Sequence, residues 1–150
     1  MPELLMELTA FTDYSLRVLM YLAREDGLQS SIDELAEYYN VSRHHIAKIT
    51  GHLAKAGYLK NSRGKNGGVS LAMRPAEINL AEVVRCTEPH FNLVECFAGE
   101  QSNCLLNNCC RLKGILYGAR AQFFQHLQKY TLEDAIAGGW PKTELEGQSA

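Results

Sequence analysis

Two helix-start signals stand eleven residues apart in SIDELAEYYNVSRHHIAKITGHLAKAG, which begins at Ser31, leaving room between them for one short helix and one tight turn. Ser31-Ile32-Asp33-Glu34 has the form of a capping box. The serine hydroxyl satisfies a free backbone N–H, and the glutamate reaches back to the cap. The helix that follows is expected to turn Ile32, Leu35, Ala36 and Tyr39 inward. Asn40-Val41-Ser42 then makes a turn, and Ser42 caps a second helix with Ile46, Ile49, Leu53 and Ala56 at three- and four-residue spacing. Gly57 closes it. Two short helices on so short a turn form a helix-turn-helix.

The flanking sequence extends this unit. Upstream, Leu16, Leu19, Met20 and Leu22 follow Thr12-Asp13 on helical spacing, predicting a helix from about Asp13 to Glu25 that ends at Gly27. Downstream, Tyr58-Leu59-Lys60 and Val69-Ser70-Leu71 read as two strands around a glycine-rich tip, Arg63-Gly64-Lys65-Asn66-Gly67-Gly68. A helix-turn-helix followed by a basic hairpin is a winged helix. The expected fold is mainly α with a small β-wing. Asn79 caps a further helix through Val83, and a cysteine-rich loop follows. Leu112, Ile115, Leu116, Ala119, Phe123, Leu127 and Tyr130 then trace an apolar stripe on a helix from about Arg111 to Lys129. So small a head leaves that stripe little core to cover, so the helix is expected to pair with its copy in a second subunit. The division is a winged helix-turn-helix at 1–85, a cysteine loop at 86–110, a dimerisation helix and end segment at 111–137, and a disordered tail at 138–150.

Charge is segregated along the chain. From Tyr38 to Ala76 there is no Asp or Glu, while Arg43, Lys48, Lys55, Lys60, Arg63, Lys65 and Arg74 carry seven of the 15 basic residues; all 17 acidic ones lie elsewhere. A formal net charge of -2 therefore conceals a cationic block. Segregation of this kind marks a phosphate-binding surface, whereas a merely solvated face mixes its signs. The N-terminal part of the second helix of a helix-turn-helix enters the major groove. Ser42, Arg43, His44, His45 and Lys48 are accordingly expected to point outward, with Arg43 placed for a two-pronged contact to guanine. Arg63, Lys65 and Asn66 at the hairpin tip would meet phosphates or the minor groove. His44 and His45 are poor partners for one metal ion, since neighbours on a helix diverge by about 100°. If the long helix builds a two-fold dimer, the reading helices sit about 34 Å apart and select a palindromic operator.

No apolar run approaches the roughly 18 residues that span a bilayer, and MPELLMELTAFTD is acidic where a secretory leader is basic, so a cytoplasmic location is expected. Thiols stay reduced there. Four of the five cysteines nevertheless cluster in ECFAGEQSNCLLNNCCRL, as Cys96, Cys104, Cys109 and Cys110. The tight Cys-x₂₋₄-Cys pairs of zinc sites are absent. Wider spacing on a loop suits an iron–sulfur cluster held by three of the four thiolates, with a disulfide, zinc or simple burial as the alternatives. Cys86 reads as a small buried residue. An enzyme is not indicated: Gly64 to Gly68 lacks the strand-then-helix setting of a nucleotide loop, and no nucleophile motif is present.

The segments LTAFTDYSLRVLMYLA, RGKNGGVSL, Cys96-x₇-Cys104-x₅-Cys110-RLK and YTLEDA together resemble the Rrf-two-type family of winged-helix regulators, from about Leu8 to Ala137, and most closely its nitric-oxide-sensing branch. The resemblance implies a homodimeric repressor of nitric oxide detoxification genes in which Cys96, Cys104 and Cys110 hold a 4Fe-4S cluster. It also implies a fourth ligand, Asp13 of the partner subunit. In the family's cluster-assembly branch a histidine stands three residues after the third cysteine, where this chain has Lys113. The alternatives are a 2Fe-2S relative sensing iron supply or redox state, or a thiol- or zinc-based binding module. From the residues alone, Asp13 would stabilise the start of its helix and pair with Arg17.

Overall fold

The structure, a computed structural model, describes residues 6–65, 67–101, 105–106 and 109–141. Three helices form its head: α1 (Ala10–Ala23), α2 (Ile32–Tyr39) and α3 (Arg43–Lys55). α1 begins earlier than Thr12-Asp13 suggests. Thr9 is the N-cap, so Thr12 lies inside the helix, fully buried, and Asp13 falls in the first turn. The capping box on α2 forms as expected, with Ser31 Oγ accepting from Glu34 N and the Glu34 carboxylate accepting from Ser31 N. α2 ends on Asn40 in the left-handed region, φ 52°, which an asparagine tolerates better than most residues. Ser42 caps α3 through a 3.1 Å bond from His45 N.

Leu19 and Leu22 of α1, Leu35 of α2, and Ile46, Ile49 and Leu53 of α3 are buried together with Val69 of the wing, Ile78 and Leu132. Each such side chain contributes about 1.5–3 kcal/mol by leaving water. The expected inward face of α3 needs one correction. Ala56 lies beyond the helix and is exposed; Thr50 is buried instead, its hydroxyl donating to the Ile46 carbonyl.

The wing is a two-stranded antiparallel ribbon, β1 (Leu59–Ser62) and β2 (Gly68–Leu71), in the register Leu59 to Leu71 and Ser62 to Gly68. Val69 also exchanges two backbone bonds with Ser30, of 3.0 and 2.8 Å. That approach excludes any side chain at Gly68, where a Cβ would stand 2.6 Å from the Ser30 carbonyl oxygen.

A fourth helix, α4 (Leu80–Thr87), is capped by Asn79 Oδ1 and runs one turn further than predicted, into the segment assigned to the cysteine loop. Its two faces serve two clusters: Val83 joins the main core, and Ala81 and Val84 pack with Phe124. 3-10 turns at Glu95–Gln101 follow, broken at Gly99 (φ 83°), before the long α5 (Arg111–Leu127) and short α6 (Leu132–Ile136). Phe124 is the one fully packed residue of α5, while Leu112, Ile115, Tyr117 and Phe123 remain exposed. The expected disorder beyond 138 is not what Trp140 shows. Its Nε1 donates to the Tyr38 hydroxyl at 3.1 Å and its ring meets Tyr21 edge-on, while residues 142–150 lie outside the described residues.

Candidate functional site

α3 presents its N-terminal turn away from the core because Ile46 and Ile49 fix the opposite face. Ser42, Arg43, His44 and Lys48 are exposed there, and Arg63 and Lys65 are exposed on the wing. Asn66 lies outside the described residues. The Arg43 Nε donates to Asp33 Oδ1 at 2.8 Å, linking the two helices of the motif across its surface. His45 departs from its expected outward position. It is half-buried, its ring 5.7 Å from Tyr14 and 6.4 Å from Phe11, because its place on the helix turns it towards α1.

The segment carrying Cys96 is fastened to α5. The Phe97 ring stacks on Tyr117 with centroids 4.0 Å apart, and the Arg120 guanidinium lies 4.8 and 4.7 Å from the two centroids. Arg120 also donates to the Phe91 carbonyl at 3.1 Å. Cys110 is the N-cap of α5 and makes no side-chain capping bond. Cys96 and Cys110 are half-buried free thiols and Cys109 is an exposed one; Cys104 lies outside the described residues. Cys86, on α4, is also free, and burial pushes its thiol above the ordinary range. Asp13 accepts two bonds from Arg17, at 2.9 and 3.1 Å, on a part of α1 that faces solvent.

A family model described as "Rrf2: Iron-dependent Transcriptional regulator" matches residues 8–138. The chain belongs to the Rrf2 family. Among curated relatives it is 46% identical to the HTH-type transcriptional regulator NsrR of Shouchella clausii, covering 87% of this chain and 89% of that one. It is 45% identical to the NsrR of Bacillus subtilis, covering 87% and 90%. Among solved structures, CymR, the global cysteine regulator of B. subtilis, superposes with a TM-score of 0.72 at 23% identity, over 91% of this chain and all of that one. IscR of T. potens superposes with a TM-score of 0.69 at 23% identity, over 97% and 93%. At that identity the likeness speaks for the winged-helix fold.

As a member of the Rrf2 family the chain is a DNA-binding transcriptional regulator and not an enzyme. Among the described residues no helix is long and apolar enough to cross a membrane. Nor do three or more His, Cys, Asp or Glu side chains converge among them. Of the expected cysteine ligands two are described, and both are of a chemistry that can hold an iron–sulfur cluster. Cys96 and Cys110 are unbridged thiols. Cys110 begins a 17-residue helix, where the peptide dipoles favour negative charge, and Arg111 and Lys113 follow it.

Two site features escaped sequence reasoning. Arg120 and Tyr117 carry no pattern that marks them as the seat of Phe97. Glu88 supplies the carboxylate that meets the start of α1, 79 positions away from Thr9, and no local motif joins residues so distant.

Proposed function

We propose that this regulator is a homodimeric repressor that holds palindromic operator DNA under the control of an iron–sulfur cluster responsive to nitric oxide. The observation that carries the reading is the pairing, in one small chain, of an exposed basic helix-turn-helix with unbridged cysteines at the foot of a helix whose apolar stripe is exposed. The names of the curated relatives support the regulator reading, and the resemblance to the nitric-oxide-sensing branch supports the signal.

In this reading residues 1–85 read DNA, 86–110 hold the cluster and 111–137 dimerise. Ser42, Arg43, His44 and Lys48 address base edges and adjacent phosphates, and Arg63, Lys65 and Asn66 hold the flanking backbone. His45 would add a contact only by leaving its seat beside Tyr14. Cys96, Cys104 and Cys110 hold the cluster, taken as 4Fe-4S, together with Asp13 of the partner subunit. When bound, the cluster supplies iron with which nitric oxide reacts. Asp13 is suited to such a role because its carboxylate is half-exposed and held by a solvent-facing arginine rather than by the core. A carboxylate that ties α1 of one subunit to the cysteine segment of the other fixes the spacing of the two reading helices. Its release lets that spacing relax, and a dimer that no longer matches both half-sites dissociates.

Anaerobic purification, followed by absorption spectra and iron and sulfide analysis before and after nitric oxide, tests the reading. The expected result is about four irons per subunit, bleached by nitric oxide with loss of operator binding. Two irons per subunit would assign the redox- or iron-sensing alternative, and zinc without sulfide the binding-module alternative.

A further inference from the structure

The last turn of α4 stands where three helices meet. Glu88 closes α4, and both its carboxylate oxygens accept the Thr9 amide, at 3.1 and 3.2 Å. The same carboxylate accepts the Thr9 hydroxyl at 3.1 Å and the hydroxyl of the buried Thr12. Two residues earlier, the Cys86 carbonyl accepts the His52 Nε2–H at 2.6 Å, from the last turn of α3. On the third side the Arg85 guanidinium lies 4.4 Å over the Phe124 ring of α5. From Glu88 the chain runs directly through Phe91, held by Arg120, to Cys96.

Glu88 does more than cap a helix. α1 already has a cap of its own, since Thr9 Oγ1 accepts from Thr12 N at 3.4 Å. A distant carboxylate bound to the same end adds charge-assisted bonds to free N–H and O–H donors and favours the positive end of the helix dipole. Its further effect is mechanical, because it sets the first turn of α1, with Asp13, relative to the segment that leads to Cys96. The bond between His52 and Cys86 joins the same turn of α4 to the last turn of α3.

We infer that Glu88 is a positioning residue that couples the cysteine-bearing segment to the start of α1 and, through the last turn of α4, to α3. The inference rests on the cluster-controlled reading above and names the internal linkage by which it would act.

Glu88→Gln keeps the shape and removes the charge. Hydrogen exchange on cluster-free protein is measured across 9–13, 48–56 and 89–97, a readout independent of the cluster. Affinity for an operator duplex obtained by in vitro selection on the wild type is measured with and without the cluster. The expected variant loads iron as the wild type does, exchanges faster in all three segments, and loses at least about fivefold of the ratio between the two affinities. Faster exchange at 9–13 alone, with the ratio intact, would make Glu88 a local cap and overturn the inference. If the wild-type affinity is itself indifferent to the cluster, the sensing reading fails and the exchange pattern alone decides the coupling. Thr12→Val removes one donor to Glu88 at nearly constant volume, and gives the same readouts if Glu88→Gln does not fold.

Discussion

Asp13 and Arg17 sit one turn apart on α1, joined by a 2.9 Å bond from Arg17 Nε to one carboxylate oxygen and a 3.1 Å bond from Nη2 to the other. Both side chains are about half exposed, at 47% and 49%. An exposed pair of this kind is worth about 0.2–1 kcal/mol to the fold. Asp13→Ala should therefore barely move the thermal midpoint of cluster-free protein, yet shorten the lifetime of the reconstituted cluster in air. A variant that keeps the cluster as long as the wild type would remove Asp13 from the ligand set.

Arg43 is exposed but not idle, because Asp33 holds its Nε. On DNA that bond competes with a base. Arg43→Ala is expected to weaken operator binding by about 1–3 kcal/mol and relax preference at one base pair of each half-site. Asp33→Ala should leave affinity equal or slightly higher in the same titration. Equal losses in both variants would mean that the ion pair supports the motif and does not await a base.

Leu53 is fully buried between α3 and its neighbours. Leu53→Ala should cost about 2–5 kcal/mol, since the core can only partly close over the missing carbons. Urea unfolding would show this as a lower midpoint at unchanged slope; a loss under about 1 kcal/mol would contradict the close packing described.

Ile115 is 66% exposed on the apolar stripe of α5. Ile115→Glu should leave the helical circular dichroism intact and shift sedimentation from dimer to monomer. A variant that still sediments as a dimer would place the interface elsewhere.

Cys86 titrates upward because burial disfavours its thiolate. Iodoacetamide at pH 8 should therefore label the exposed Cys109 well before Cys86 in native, cluster-free protein, with the difference vanishing in urea. The raised thiol also signs a pH effect. Its contribution to stability is whole below the ordinary thiol range, and drains away as pH climbs from there to the raised value. Cys86→Ala should flatten that alkaline decline.

Much of the head is legible in the chain because its signals are local. A capping box, an apolar spacing or a glycine-rich tip acts within a few residues, so Ser31, Ser42 and the wing can be placed without a structure. The start of α1 is illegible for the opposite reason. Thr12-Asp13 looks like a cap, but Thr12 lies inside the helix, its hydroxyl donating to Glu88, 76 positions further along the chain. His45 shows a related limit: the charge pattern places it on the basic helix, yet its seat is chosen by Tyr14 and Phe11 of another helix. The cysteines are recognisable by spacing and resemblance together, whereas the stack of Phe97 on Tyr117 depends on how α5 returns beneath them.

The close approach of Ser30 to β2 over Gly68 carries a last consequence. A wing joined by backbone bonds to the stretch between α1 and α2 cannot swing on its own hinge, because the third strand-like contact locks its tilt to the helices. The head therefore behaves as a stamp and not as a pair of fingers. Any signal that loosens its hold must move the head as one unit, and a substitution of Gly68 would spoil the stamp itself, abolishing DNA binding whether or not the signal is present.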